Sequence, residues 1–419
     1  MAKIWRHMLM NPDCPLDEIP GIPDRIRQPL REEFAYLTST VVKTCESSID
    51  GTAKILVRLQ DGGEVEAVLI RHTGEPEDPE RRQAERCGQR DTLCISSQVG
   101  CRLGCTFCAT GTMGLQGNLW PGEIQEQLIH ARNLRPVSNV VFMGMGEPLE
   151  NYDGIISAIR GLIDPQRFCV APSSITVSTV GIVGNMRRFM EDLPKVKLAV
   201  SLHAPTQELR EQLLPVAKIY SLETLMEVVD EYAARMEIDG KRKGMVMASY
   251  VLLAGVNDSD ECAHQLCALV KGRPVIVNLI PYNPFEENVY RYETPSPERV
   301  DAFQQILAAA DIRVFERRHH GRDIAAACGQ LAKIDKQTPA SDIESLSCTL
   351  AKERYSAPVA RKAPIGIAQK HAPEPAPCGD IVEARVAAPL VPCTAILGVL
   401  LAAGCLSAVA AMRWLGRRR

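Results

Sequence analysis

The stretch DTLCISSQVGCRLGCTFCATGTMGLQGNL, residues 91–119, decides the fold of this chain. It begins with a short apolar run and holds four cysteines: Cys94, Cys101, Cys105 and Cys108. The last three are spaced C-x3-C-x2-C, and thiols this close in sequence usually share a metal centre. Two interpretations follow from the residues. Either Cys94 completes a four-thiolate zinc site, or the other three hold a cubane [4Fe–4S] cluster with one iron left open.

The composition restricts the function classes. The chain has 419 residues, 46% hydrophobic and 24% charged, which is ordinary for a globular protein with two or three domains. A net charge of −3 excludes a chain-wide basic surface, so a bound polyanion needs a local basic patch. The N-terminus has no apolar signal region, and the 15 cysteines are irregularly spaced. We therefore expect a cytoplasmic, reducing location, although an organelle is not distinguished.

Short apolar runs alternate with amphipathic runs through the middle of the chain. Strands are predicted at 92–96, 139–144, 175–179, 197–203, 245–253, 275–282 and 312–317. Helices are predicted between them at 121–134, 152–163, 221–236, 259–272 and 296–310. This alternation predicts βα units and a parallel sheet that closes at least partly into a barrel. In such barrels the chemistry lies on loops after the strands, and the cysteine cluster follows the first strand.

An accessory domain is predicted at residues 1–90. Helical spacing occurs at 29–37, and two strands flank the turn Asp61–Gly63 within residues 52–72. A charged, proline-containing loop is predicted at 73–91. The core domain is then expected at 91–335.

The C-terminal part differs in composition. Residues 336–385 contain several prolines and predict a disordered linker. Residues 386–412 carry no charge and are followed by arginines, so 386–419 is a candidate membrane anchor. The alternatives are an apolar tail that packs on a partner and an artefact of the gene prediction.

Five motifs carry a family resemblance. They are LCISSQVGCRLGCTFCATG, VVFMGMGEPLENYD, SLHAP, NLIPYNPF and GRDIAAACGQL. Together they resemble the RlmN/Cfr adenosine methyltransferases of RNA, in the radical S-adenosylmethionine (SAM) superfamily, over about residues 4–332. The resemblance implies an α/β fold: a partial (β/α)6 TIM-like radical SAM barrel, a small N-terminal α+β domain and a disordered C-terminal extension. The N-terminal domain is shorter than in the family, and the tail has no counterpart there.

The resemblance also implies the cofactor site. Cys101, Cys105 and Cys108 would bind a [4Fe–4S] cluster, and the open iron would bind the amino and carboxylate groups of SAM, so that Cys94 is not a ligand. Other SAM contacts would come from Gly146, Glu147, Ser178, Ser201, Leu202, His203 and Asn283. Taken singly, each of these is an ordinary residue at a strand end or turn; only their joint match indicates a site.

Two further cysteines have implied roles. Isolated buried cysteines are usually small core residues. In the family, however, Cys328 would take a methyl group from one SAM, and a radical from a second SAM would remove a hydrogen atom from it. The methylene would add to an adenine carbon, and Cys94 would release the product by forming a disulfide with Cys328. Glu66 matches the family's proton acceptor, although the resolving cysteine could share this work and an acid on an alternating strand otherwise faces solvent.

The implied substrate is carbon 2 of an adenosine in large-subunit rRNA, in the peptidyl-transferase region, and in tRNA, 3′ of the anticodon. Carbon 8 is one alternative; a non-catalytic, metal-bearing RNA-binding protein and a membrane-tethered adaptor are the others. The expected partners are RNA and an electron donor of flavodoxin or ferredoxin type, with the chain a monomer. Arg102 and the basic run Arg317–Arg322 are candidate RNA contacts.

Overall fold

A computed structural model describes residues 7–9, 15–33, 35–72, 90–237, 245–286, 288–317 and 320–331. Most of the predicted 73–91 loop, the predicted linker at 336–385 and the candidate anchor at 386–419 lie outside these residues. Among the helices of the described ranges, none is both long and apolar enough to cross a bilayer.

The described residues form a ten-stranded sheet and a separate two-stranded hairpin. The strands are β1 Thr40–Glu46, β2 Ala53–Arg58, β3 Glu64–His72, β4 Arg90–Cys94, β5 Gln98–Cys101, β6 Gly114–Asn118, β7 Asn139–Phe142, β8 Ile175–Thr179, β9 Lys197–Ser201, β10 Val246–Leu252, β11 Val275–Pro281 and β12 Val314–Glu316. The order in the large sheet is β1-β2-β3-β4-β7-β8-β9-β10-β11-β12. The hairpin is β5–β6, inserted after the first parallel strand.

The α-helices alternate with these strands along the chain. They are α1 Asp24–Glu33, α2 Ala109–Thr112, α3 Pro121–Leu134, α4 Tyr152–Ile163, α5 Val183–Asp192, α6 Gln207–Leu213, α7 Leu222–Glu237, α8 Asp260–Val270 and α9 Pro297–Ala309. The later helices begin at clear capping signals: the hydroxyls of Ser259 and Ser296 accept from backbone N–H groups in the first turns of α8 and α9.

The parallel part confirms the predicted fold class. Strands β4 and β7 to β12 are all parallel to one another. A helix follows each of the first six, in the order α3, α4, α5, α7, α8 and α9. This is a (β/α)6 arrangement with a seventh strand at its edge, and all seven strands fall where the alternating apolar runs predict them.

The antiparallel strands β1 to β3 extend the sheet at the other edge. β2 and β3 are the two strands predicted around the turn Asp61–Gly63, and they pair with Arg58 opposite Glu64. β3 pairs directly with β4, with Leu69 opposite Leu93, so one sheet runs from the accessory strands into the barrel. The domain boundary near residue 90 stays a prediction.

Several elements differ from expectation; β1, α2 and α6 were not predicted. The helix predicted at 29–37 ends at Glu33, because Glu126 accepts hydrogen bonds from the backbone N–H groups of Thr38 and Ser39 and holds that stretch out of a helix. Helix α5 was not predicted, although Val183, Met186, Phe189 and Met190 form its buried stripe. The short β5–β6 hairpin was also missed, since glycines replace the apolar alternation there.

Residues 320–331 return to the accessory strands. Gly321 N donates to Asp50 Oδ2 over 3.0 Å, and Ser48 N donates to Asp323 Oδ2 over 3.1 Å. Lys54 Nζ reaches the Ala325 carbonyl at 3.3 Å. These bonds fix the segment that carries Cys328 against the turn after β1 and against β2.

Candidate active site

The β5–β6 hairpin presents the cysteine loop. Cys101 ends β5 opposite Gly114, and the loop between the strands brings Cys105 and Cys108 back to the same side. Gly100 has φ +73°, and a Cβ on it would stand 1.9 Å from the Gly114 carbonyl oxygen. The tight hairpin therefore requires glycine at position 100.

The three cysteines line one cleft at the carboxyl ends of the parallel strands. The cleft encloses about 1020 Å³, including its mouth to solvent. Ser178, Ser201, Ser249 and Ile280 line it from the ends of β8 to β11. This is where a barrel places its chemistry. Six of the seven predicted SAM contacts line the same cleft: Gly146, Glu147, Ser178, Ser201, His203 and Asn283.

Leu202 is the exception among the predicted SAM contacts. Its side chain is buried and does not line the cleft. Its backbone N–H donates to the Ser249 carbonyl at 3.0 Å. Leu202 thus links the ends of β9 and β10 and sets the positions of its neighbours Ser201 and His203.

The thiols fit an iron–sulfur cluster better than a single ion. Burial raises the pKa of Cys101, Cys105 and Cys108, and neighbouring thiolates raise those of Cys101 and Cys105 further. If all three are thiolates, bound metal cations must therefore balance their buried negative charge. Across the described ranges, no three His, Cys, Asp or Glu residues are arranged around a single ion position. A cubane binds each thiolate to a different iron, so three cysteines on one loop can hold it.

Arg210 is a fully buried cation beside this loop, and the sequence gives no signal for it. Its Nη2 donates to the carbonyls of Val180 at 2.6 Å and Ser201 at 3.3 Å, which lie at the ends of β8 and β9. Burial lowers its pKa to about 10, and the charge of Cys105 acts in the opposite direction. At neutral pH it remains a positive charge next to Cys105, a predicted cluster ligand.

The turn after β7 brings backbone close to the cleft. A Cβ on Gly144 would lie 2.7 Å from the Ile95 carbonyl oxygen, and one on Gly146 would lie 2.5 Å from Gln98 Cβ. Glu147 follows, buried, and accepts from Leu149 N and Val180 N at 3.0 Å each. Burial raises its pKa to about 7, so an ammonium ligand would favour its charged form.

His203 is held neutral in the cleft wall. Its Nδ1 accepts from Val251 N at 3.0 Å, which places the proton on Nε2. Burial, followed by the charge of Arg210, lowers its pKa to about 3. Its ring packs edge-on against Phe107, with centroids 4.8 Å apart. His203 can therefore donate one hydrogen bond from Nε2 but carries no charge.

A second, narrower cavity joins Cys94 to Cys328. Both line it, and it shares Met143, Ile280, Asn283, Arg317, Cys328 and Leu331 with the larger cleft. Asn283 Nδ2 donates to the Cys328 carbonyl at 3.4 Å, so a predicted SAM contact also fixes the cysteine segment. Cys328 therefore lies where the narrow cavity meets the larger cleft. Cys94 lines the narrow cavity but not the cleft.

The two thiols differ in environment. Cys94 is buried, which raises its pKa to about 12; Arg317 lowers it and Cys328 raises it to smaller extents. Cys328 is exposed. The expected disulfide between them is not present: the nine cysteines within the described ranges are all free.

Glu66 is buried. The alternative that it is a solvent-facing acid on an alternating strand is therefore wrong. Its Oε1 lies 2.9 Å from Lys54 Nζ, and its side chain is 5% exposed. Residues 66, 68 and 70 share one face of β3, and Val68 and Ile70 line the Cys94 cavity. Glu66 thus extends that face, and its role as proton acceptor stays a prediction.

The basic residues predicted to contact RNA differ in their surroundings. Arg317 lines both cavities. Arg102 instead forms an ion pair with Glu150 at 2.6 Å, so its charge is partly compensated. Arg318 and His319 lie outside the described residues. His320, noted in the sequence only as part of a basic run, lines the Cys94 cavity.

Comparisons with known proteins agree with this geometry. Residues 95–266 match the sequence model of the Radical SAM superfamily. A dual-specificity RNA methyltransferase RlmN of Anaeromyxobacter sp. is 44% identical over 328 residues, 76% of this chain and 80% of the relative. A probable dual-specificity RNA methyltransferase RlmN of Rhodopirellula baltica is 40% identical over 335 residues, 79% of this chain and 84% of the relative.

A solved structure is also similar. The radical SAM methyltransferase from Sphaerobacter thermophilus has a TM-score of 0.69 and 37% identity, covering 79% of this chain and 92% of that one. These relatives are methyltransferases by name, so they do not support a non-catalytic binding protein. Together, the cysteine loop, the cleft and the relatives show that the chain belongs to the RlmN/Cfr family of radical SAM RNA methyltransferases.

Proposed function

We propose that this enzyme methylates carbon 2 of an adenosine in RNA, with Cys328 as the methyl carrier and Cys94 as the resolving thiol. The observation that carries the proposal is the shared cavity of Cys94 and Cys328, which opens into the cleft of the three-cysteine loop. Adenine ring C–H carbons are poor nucleophiles, whereas a thiolate takes a methyl group from SAM readily. A cysteine at the junction of the two can accept a methyl group in the cleft. It can also react with the resolving thiol, Cys94, in the narrow cavity.

The cofactors follow from the family. When bound, a [4Fe–4S] cluster and SAM supply one-electron cleavage of SAM and hence a radical. Cys101, Cys105 and Cys108 would hold the cluster, and Glu147 would face the SAM ammonium group. Ser178, Ser201, His203 and Asn283 offer donors and acceptors to the rest of SAM, and Gly146 lets it approach the backbone. Leu202 would contribute through its backbone.

The methyl carrier requires two SAM molecules in each turnover, one as methyl donor and one as radical source. Glu66 is the proposed acceptor of the ring proton, with Lys54 Nζ stabilising its charged form at 2.9 Å. A flavodoxin- or ferredoxin-type protein would supply the electron. We place the enzyme in the cytoplasm as a monomer; residues 386–419 remain a candidate anchor.

The substrate is proposed from the relatives. Their name, dual-specificity RNA methyltransferase, supports action on both large-subunit rRNA and tRNA. A base must leave its stack to reach a cleft of this depth. Arg317 lines the cleft, and Arg322 Nε donates to Asn283 Oδ1 at 3.3 Å. We propose both as contacts to RNA phosphates.

Mass spectrometry of anaerobically purified protein tests the proposal. We expect iron equivalent to one cubane per chain and one extra methyl on the peptide that contains Cys328. Digested rRNA and tRNA treated with the enzyme should contain 2-methyladenosine. Finding 8-methyladenosine instead would move the proposal to carbon 8. Iron with no methyl on Cys328 would contradict the carrier role, and Cys328→Ala provides the matched control.

A further inference from the structure

The resolving thiol has to lose its proton, and its surroundings oppose this. Cys94 is 6% exposed and lies among Val68, Ile70 and Met143. Burial favours the neutral thiol, whereas attack on sulfur needs the thiolate. A proton acceptor next to Cys94 would remove this obstacle.

His320 is the candidate acceptor. Among the described residues that line the narrow cavity, the polar side chains are Cys94, Cys328, Asn283, Arg317 and His320. An amide does not accept a proton at neutral pH, a guanidinium already carries its proton, and Cys328 is the group to be attacked. Imidazole is the remaining base, and its ordinary pKa is suited to proton transfer near neutrality.

Asp50 positions this imidazole. Its Oδ2 lies 3.3 Å from His320 Nδ1 and accepts from Gly321 N at 3.0 Å. Its Oδ1 accepts from Thr52 N at 2.9 Å. The carboxylate is therefore fixed by two backbone N–H groups and lies beside the His320 ring. The two residues form a His–Asp pair, and the His320 ring lines the cavity that also holds the Cys94 thiol. Such pairs activate weak nucleophiles in other enzymes.

We propose that His320, positioned by Asp50, accepts the Sγ proton of Cys94 when the protein–RNA adduct is resolved. The inference rests on the proposed function. The Cys94 thiolate attacks Cys328 Sγ, an S–S bond forms, and the S–CH2 bond to the adenine breaks. Its electron pair stays on the CH2 carbon, which takes the proton from the imidazolium and becomes methyl. The cysteine pair is oxidised by two electrons and the carbon is reduced by two; a dithiol reductant later restores both thiols.

The test is the lifetime of the covalent adduct. Anaerobic holoenzyme is mixed with an rRNA fragment carrying the target adenosine, and quenched samples are run on denaturing gels with dithiothreitol present in the reaction. Wild type should accumulate little adduct, and Cys94→Ala should trap it. His320→Ala and His320→Gln should both form it and release it at least tenfold more slowly. Imidazole added to His320→Ala should shorten the lifetime again, and Asp50→Asn should slow release several-fold.

His72 offers a matched control. Its ring lies perpendicular to that of His320, with centroids 5.5 Å apart, and its Nε2 lies 3.1 Å from Thr92 Oγ1. It does not line the cavity, so His72→Gln should behave as wild type.

Two results would overturn the proposal. If Cys94→Ala traps adduct but His320→Gln releases it at the wild-type rate, His320 is only structural. If wild type makes no methyladenosine and Cys94→Ala traps no adduct, the proposed function fails together with the inference. The glutamine variant keeps a polar side chain opposite Asp50, so folding loss in the alanine variant does not prevent the test.

Discussion

Cys94, at the end of β4, and Cys328, in the C-terminal segment, line the same narrow cavity although the whole barrel separates them in sequence. β3 and β4 form one wall of the cavity, and the 320–331 segment covers it. Both thiols are free, and Cys328 also lines the cleft of the three-cysteine loop.

Separate substitution of the two thiols should distinguish carrier from resolver. Cys328→Ala removes the methyl acceptor, so no methylated peptide and no product should form. Cys94→Ala keeps the acceptor, so its Cys328 peptide should carry a methyl group while turnover falls by about 10³-fold or more. Peptide mass spectrometry and product quantification on the same preparations check this. Cys262→Ala, a core cysteine of α8, should change neither readout.

Glu147→Gln should weaken SAM binding by about 10- to 100-fold, because a buried charged hydrogen bond contributes about 1.5–3 kcal/mol. Anaerobic equilibrium binding measures this change. Glu150→Gln is the control, since Glu150 pairs with Arg102 and does not line the cleft. Equal SAM affinity in wild type and Glu147→Gln would remove Glu147 from the binding site.

Glu147 should also make stability depend on pH in the absence of SAM. Its pKa is about 7 in the folded state, against an ordinary value of 4.5. Between pH 4.5 and pH 7 the folded state therefore keeps this proton, whereas the unfolded state has released it. Stability should therefore fall as pH rises from about 4.5 to 7, by on the order of 3 kcal/mol for this group. Guanidinium unfolding at pH 5 and pH 8 should show a larger drop for wild type than for Glu147→Gln. An equal drop in the two proteins would contradict the assignment.

Gly100→Ala should prevent cluster assembly. The added Cβ would lie 1.9 Å from the Gly114 carbonyl oxygen, which forces β5 and β6 apart and displaces Cys101. Gly104 has a similar φ of +62°, but a Cβ added there would meet no atom within 4 Å, so Gly104→Ala isolates the effect of φ alone. Iron content per chain should fall strongly in the first variant and only modestly in the second. Full iron loading of Gly100→Ala would show that the hairpin tolerates the clash.

Arg210→Gln should lower the reduction potential of the cluster, because a buried positive charge beside Cys105 favours the added electron. It should also destabilise the protein by about 3–5 kcal/mol, since the buried carbonyls of Val180 and Ser201 lose their charged donor. Redox titration followed by electron paramagnetic resonance, together with denaturant unfolding, measures both. Arg187→Gln is the control, because Arg187 is a surface residue paired with Glu231.

Much of the fold was predictable because the parallel strands are apolar and separated by amphipathic helices. The positions of Cys101, Cys105 and Cys108 followed from spacing and family resemblance. Other features depend on distant contacts. Arg210 looks like any helix arginine, and its burial results from carbonyls on two strands. The depth of Glu66 depends on Lys54 of β2, and the role of His320 depends on the turn that holds Asp50.

The attachment of residues 320–331 to the turn after β1 and to β2 has a consequence for synthesis on the ribosome. Ser48, Asp50 and Lys54 are translated early, but their partners at 321–325 emerge only after the complete barrel. Cys328 therefore reaches its working position last, when both ends of the barrel sequence meet. A nascent chain can present the three-cysteine loop well before it presents Cys328, so incomplete products lack the proposed methyl carrier.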